Sequence, residues 1–123
     1  MSAKILIVDD ERDTLMLIGM ALERSGYQVV KANDGPMALQ LARSEKPDLI
    51  ILDVMMPGMS GIDVLKALRE SDFPTPPVIL FTARSRIEDI AKGMEAGAYR
   101  YLVKPVSREK LLETVRAALA DRD

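Results

Sequence analysis

Histidine and cysteine are both absent from this 123-residue chain. Without cysteine there is no disulfide, no thiol nucleophile and no thiolate metal site. Without histidine the usual general base and the usual zinc ligand are gone, and no phosphohistidine can form on this chain. A charge excess is missing too: 17 basic and 19 acidic residues leave a net charge of -2, with the two signs interspersed. That balance gives no footprint for a nucleic-acid backbone, so direct nucleic-acid binding is not expected. No apolar run approaches the ~20 residues that span a bilayer. The stretch Met1–Lys4 is too short before the first apolar run to be a signal peptide. A cytoplasmic protein without membrane association is the expectation. The length suits a single domain, residues 1–123, large enough for a core without staples.

What the chain does have is alternation. Short β-branched apolar segments occur at Lys4–Val8, Gln28–Ala32, Leu49–Leu52, Val78–Phe81 and Tyr101–Val103. Three of them are almost wholly apolar, which suits strands buried on both faces of a parallel sheet. Between and after them run longer segments with helical spacing: Leu15, Ile18 and Leu22; Ile62, Leu65 and Leu68; Ile87, Ile90, Ala91 and Met94; Leu111, Leu112, Val115 and Leu119. End signals frame these helices. Asp34, Ser60 and Ser107 are placed as N-caps, Ser85 with Glu88 as a capping box before the fourth helix, and Gly26 and Gly97 as left-handed stops. Five β-α units in strict alternation predict an α/β fold with a parallel sheet and right-handed crossovers. Five strands commonly take the doubly wound order 2-1-3-4-5, with ligands at the carboxyl ends of the strands near the switch between strands one and three.

Those carboxyl ends carry chemistry. Strand one runs into Asp9-Asp10-Glu11, strand three into Asp53, strand four into Thr82, and strand five into Lys104-Pro105. At ~4.8 Å per strand, the acids of strands one and three share one hollow, and a lysine two strands away can largely reach it. Three clustered carboxylates do not all stay ionised without a counter-charge. Lys104 together with a hard divalent ion such as Mg²⁺, which prefers oxygen ligands, supplies it. An aspartate so placed is a competent phosphoryl acceptor, with metal, lysine and hydroxyl steadying the transferring oxygens.

The pieces "ILIVDDE", "PDLIILDVMMPGMSG", "VILFTA" and "GAYRYLVKP", in that order and spacing, resemble the receiver domain of two-component response regulators over essentially the whole chain. The resemblance implies a flavodoxin-like fold and phosphorylation at Asp53. It implies Mg²⁺ on Asp9, Asp10, Asp53 and the Met55 carbonyl, and phosphoryl contacts from Thr82 and Lys104. It further implies a cis Lys104-Pro105 bond, a rotamer-switching Tyr101, and a signalling role rather than an enzyme's. The implied partners are a sensor histidine kinase or phosphotransfer protein, and an output partner or C-terminal effector domain. A homodimer through the face of the fourth helix, fifth strand and fifth helix is implied as well. Tyr99, Arg100 and Val106 depart from the family's usual residues on that face, whereas none of the proposed chemistry is altered. Met55 and Arg84 flank the site and are expected to tune loss of the phosphoryl group. The segment after Ala120 reads as a tail or the start of a linker.

Three other readings share the architecture. A flavin- or nucleotide-binding module needs a glycine- or hydroxyl-rich first loop, where this chain has Asp9-Asp10-Glu11. A haloacid-dehalogenase-like phosphatase needs a second acid where Met55 stands. A phosphorylation-independent interaction module would not require the full set of acids, Thr82 and Lys104.

Overall fold

The computed structural model of the chain describes residues 2–121. Its elements run β1 (Lys4–Val8), α1 (Arg12–Arg24), β2 (Gln28–Ala32), α2 (Gly35–Glu45), β3 (Leu49–Leu52), α3 (Gly61–Glu70), β4 (Val78–Thr82), α4 (Ile87–Glu95), β5 (Arg100–Val103) and α5 (Arg108–Asp121). The three most apolar strands occupy the middle of the sheet, because only there is a strand covered on both faces. The order is β2-β1-β3-β4-β5 with every pairing parallel, the flavodoxin-like arrangement expected. β5 begins one residue earlier than the sequence pattern indicated, and β4 extends to include Thr82.

Alternate residues of each inner strand feed two cores. Leu6, Val8, Ile50, Leu52 and Leu80 pack with Ala38, Ala42, Val64, Leu65 and Leu68 of α2 and α3. Ile5, Ile7, Leu49, Ile51, Ile79 and Phe81 pack with Leu15, Ile18, Leu22, Leu111 and Val115 of α1 and α5. Each fully buried leucine or isoleucine contributes about 1.5–3 kcal/mol of transfer free energy, so the inner strands form a stiff base for the loops above them.

Register then fixes what emerges at the top. Val8 is level with Ala32 and with Leu52, Leu52 with Leu80, and Thr82 with Val103. Asp9, Asp53 and Lys104 each follow such a terminal residue, so the chain delivers them to one rim.

Most end signals behave as read. The Asp34 carboxylate accepts from the Met37 N–H, Ser60 and Asp63 form a reciprocal capping box, and the Ser107 hydroxyl accepts from the Lys110 N–H. Gly26 and Gly97 carry positive φ just past α1 and α4. The fourth helix is the exception. Its N-cap is Arg86, with no side-chain cap, so the Ser85–Glu88 box is not formed. Ser85 lies one residue too early to cap a helix that starts at Ile87. Most of the apolar stripe assigned to α4 also faces outward: Ile87 is 82% exposed, Met94 and Ala91 are exposed, Ile90 is half-buried, and Gly93 is the buried residue of the helix. At the C-terminus α5 continues through Asp121, while Arg122 and Asp123 of the tail lie outside the described residues. No helix among the described residues is long and apolar enough to cross a membrane.

Candidate functional site

The rim at the ends of β1, β3, β4 and β5 gathers Asp9, Asp10, Asp53, Thr82 and Lys104. Asp9 and Asp53 are buried and Asp10 is exposed beside them. One oxygen from each of the three carboxylates lies within 4.8 Å of the others. Local hydrogen bonds aim them. The Asp9 Oδ1 accepts from the Glu11 N–H at 2.9 Å, and the Asp53 Oδ1 accepts from the Met55 N–H at 3.1 Å. The Asp53 N–H donates to the Val8 carbonyl at 3.0 Å, which ties the start of the third loop to the first strand.

Lys104 reaches further than strand spacing implied. Its Nζ lies 2.7 Å from Asp9 Oδ2, 3.6 Å from Asp53 Oδ2 and 3.8 Å from Glu11 Oε1. The lysine therefore crosses above β4 and β3 to rest chiefly on the acid of β1. The ammonium also sits 5.3 Å from the centre of the Phe81 ring, a cation–π distance. The Lys104-Pro105 bond is cis, and the Lys104 N–H donates to the Thr82 carbonyl at 2.8 Å. Glu11 was part of the acidic run, but its approach to Lys104 had no sequence signal, because only the fold reveals which strand-end lysine overhangs it.

Thr82 is fully buried at the end of β4, and its Oγ1 accepts the Arg84 N–H at 3.4 Å. The Tyr101 hydroxyl donates to the Arg84 carbonyl at 2.8 Å, so the ring is half-buried and turned toward the β4–α4 loop. Met55 projects an exposed side chain beside Asp53, and Arg84 pairs with Asp89 at 3.7 Å.

Electrostatics follow from the crowding. Burial is the main cause that raises the Asp53 pKa above the ordinary 3.8. The Asp9 charge adds to it, whereas the Met55 N–H, Lys104 and the Thr82 hydroxyl oppose it. Burial alone would lower the Lys104 pKa, but the Asp9 hydrogen bond and the charges of Asp53, Asp9 and Glu11 raise it above 10.5. One lysine thus faces three carboxylates, with Asp10 beside them. The donor set is all oxygen, partly water-accessible and in need of positive charge, and it fits a hard divalent ion such as Mg²⁺. A groove of about 710 Å³ between the end of α2 and Phe73–Pro77 lies at the opposite end of the strands and shares no residue with this site.

A stability prediction arises here. A carboxyl whose pKa is raised in the folded state favours folding when protonated. That contribution is fully present below about 3.8 and is lost as pH rises through the folded-state value. At neutral pH and without metal, ionised Asp53 is a burden on the fold. Asp53→Asn is expected to raise the unfolding free energy by about 0.5–2 kcal/mol, the usual range for one stabilising change. Urea unfolding in chelator at pH 7 checks it, and the gain should shrink as pH falls toward 4.

The family model described as "Response regulator receiver domain" matches residues 5–116. The chain belongs to that family. Among curated proteins, the receiver domain is 45% identical over 119 residues to the alkaline phosphatase synthesis transcriptional regulatory protein PhoP of Bacillus subtilis, covering 97% of this chain and 49% of that one. It is 40% identical over 119 residues to protein PilH of Pseudomonas aeruginosa, covering 96% and 98%. It thus spans about half the length of the transcriptional regulators it matches and nearly all of PilH. Among solved structures, the chemotaxis protein CheY4 of Vibrio cholerae superposes with a TM-score of 0.89 at 36% identity, covering 96% of this chain and 99% of that one. The receiver domain is a signalling module of response regulators, consistent with two-component signalling.

Proposed function

We propose that this receiver domain takes a phosphoryl group from the phosphohistidine of a sensor histidine kinase or phosphotransfer protein onto Asp53. The observation that carries the reading is the convergence of buried Asp53 with Asp9, Asp10, Lys104 and Thr82 on one rim of the sheet. An Asp53 oxygen attacks phosphorus in line. The P–N bond breaks, its electron pair returns to the imidazole of the donor, and an aspartyl phosphate forms. Lys104 exchanges its carboxylate partners in part for phosphoryl oxygens, and the Thr82 hydroxyl donates to another. Asp9, Asp10, Asp53 and the Met55 carbonyl are the groups that would hold Mg²⁺. When bound, the ion supplies the positive charge that lets a dianionic phosphoryl group approach these acids.

Phosphorylation then shifts a population between two packings. As Thr82 moves toward the phosphoryl group, Tyr101 turns inward from the Arg84 carbonyl, and the face of α4, β5 and α5 changes shape. An output partner, a second copy of the domain or a C-terminal effector domain reads that face. Exposed Ile87 and Met94 lie on α4, where a reader would meet them. Water later hydrolyses the acyl phosphate and resets the switch. Residues 1–123 form one such unit, acting in the cytoplasm within a phosphorelay and without substrate turnover of its own.

Acetyl phosphate with Mg²⁺ tests this reading by intact mass. Wild type is expected to gain one phosphoryl group and Asp53→Asn none. Unchanged wild-type mass, with Mg²⁺ demonstrably bound, would count against phosphotransfer and leave the interaction-module reading.

A further inference from the structure

α4 carries a glycine where helix propensity argues against one. Gly93 lies in the last turn of α4, where glycine is a poorer helix former than alanine. It is also the buried residue of that helix. The reason is proximity. A Cβ on Gly93 would stand 2.6 Å from Leu80 Cδ1, 3.0 Å from Tyr101 Cδ2 and 3.2 Å from Tyr101 Cε2. The tyrosine ring therefore lies directly against the helix backbone.

We propose that Gly93 is a positioning residue: it seats the Tyr101 ring so that its hydroxyl reaches the Arg84 carbonyl, and thereby sets the main chain next to Thr82. The links are contiguous. The ring rests on Gly93, its hydroxyl donates to the Arg84 carbonyl at 2.8 Å, and the Arg84 N–H approaches Thr82 Oγ1 at 3.4 Å. Thr82 in turn adjoins Asp53. A methyl group at position 93 meets a ring anchored at both ends, at its Cβ on β5 and at its hydroxyl. The hydroxyl end is the one that yields, because a single exposed hydrogen bond is weaker than the covalent tether at Cβ. Leu80 is the rival explanation, since it is the nearer neighbour. Its Cδ1 is the end of a side chain, and shortening it tests that alternative.

The consequence for phosphorylation rests on the function proposed above; the structural part does not. Four proteins are compared: wild type, Gly93→Ala, Tyr101→Phe, and the double variant. Tyr101→Phe lacks the hydroxyl and defines the carbonyl ¹³C shift of Arg84 without its bond. The expected result is that Gly93→Ala moves this shift to the Tyr101→Phe position and that the double variant moves it no further. Adding Leu80→Val to Gly93→Ala relieves the leucine contact and should leave the shift displaced. An Arg84 shift that stays at its wild-type value overturns the proposal, as does its restoration by Leu80→Val. If Gly93→Ala alone does not fold, the Leu80→Val/Gly93→Ala protein decides the same question. In acetyl phosphate labelling, Gly93→Ala and Tyr101→Phe should change the rate in the same direction by at least about threefold, and the double variant should match either single one, the mark of one shared pathway. Additive rate changes would refute that pathway. Absence of labelling in wild type would instead refute the phosphotransfer reading, with the ¹³C shift still testing the seat.

Discussion

Lys104→Met should lower the unfolding free energy by about 3 kcal/mol in metal-free buffer at neutral pH, the lower part of the range for stranding one member of a buried ion pair. The nearest partner decides the size. Asp9 is 2% exposed and holds the ammonium at 2.7 Å, and Asp53 lies 3.6 Å from the same nitrogen. Removing the cation leaves both carboxylates buried beside each other. The raised pKa of Asp53 would rise further, because Lys104 is one of the influences that lower it. Two additions should recover stability. Asp9→Asn in the Lys104→Met background removes the stranded charge. Mg²⁺ at a hundred times its dissociation constant adds about 2.7 kcal/mol by linkage. The same variant should be phosphorylated about a hundredfold more slowly by acetyl phosphate even with Mg²⁺ bound, as expected when one donor to the transferring oxygens is lost. Urea unfolding and labelling kinetics separate the two effects. A Lys104→Met protein within 1 kcal/mol of wild type without metal would mean that the lysine is not the acids' counter-charge.

Gly61→Ala is expected to cost about 3 kcal/mol and to cripple phosphorylation, although residue 61 carries no chemistry. The loop from Val54 to Ser60 returns so tightly that the Gly61 N–H donates to the Val54 carbonyl. A Cβ there would lie 2.1 Å from the Asp53 carbonyl oxygen and 2.8 Å from Val54 Cα. Both obstacles are main chain, so relief requires moving Asp53 or the start of α3, and overpacking of this kind usually costs 1–3 kcal/mol or more. Gly58→Ala provides the control. Its φ is +80° with nothing near the added methyl, so only the left-handed conformation is penalised, by about 1–2 kcal/mol. Thermal unfolding of the two variants, with acetyl phosphate labelling, distinguishes a steric wedge at Asp53 from a general loop effect.

The legible part of the fold was the part governed by burial. Leu49–Leu52 and Ile5–Val8 are apolar at every position, and a strand of that kind has to be central. Once β1 and β3 are neighbours, parallel register places Asp9 and Asp53 at one height. The acids and Lys104 were therefore readable from where the apolar runs stop. What was not readable depends on distances between elements. The stripe Ile87, Ile90, Ala91 and Met94 has helical spacing, yet α4 meets the sheet through Gly93 and leaves Ile87 in solvent. Periodicity says which residues share a face but not whether the face is covered. Ser85 failed as a cap because one residue of helix phase is beyond what a composition signal fixes. The lysine's preference for Asp9 over Asp53 depends on the path of a flexible side chain, which strand spacing only bounds. Gly61 opens α3, and only its approach to the Asp53 carbonyl shows why a side chain is not tolerated there.

Chemical trapping of the acyl phosphate examines the central claim most directly. Protein treated with acetyl phosphate and Mg²⁺, then reduced with borohydride, converts a phosphorylated aspartate into homoserine. Peptide sequencing by mass spectrometry should find homoserine at position 53 and unmodified aspartate at positions 9 and 10. Homoserine at position 9 or 10, a phosphoryl group on a hydroxyl side chain, or no modification while Mg²⁺ is bound would contradict the account.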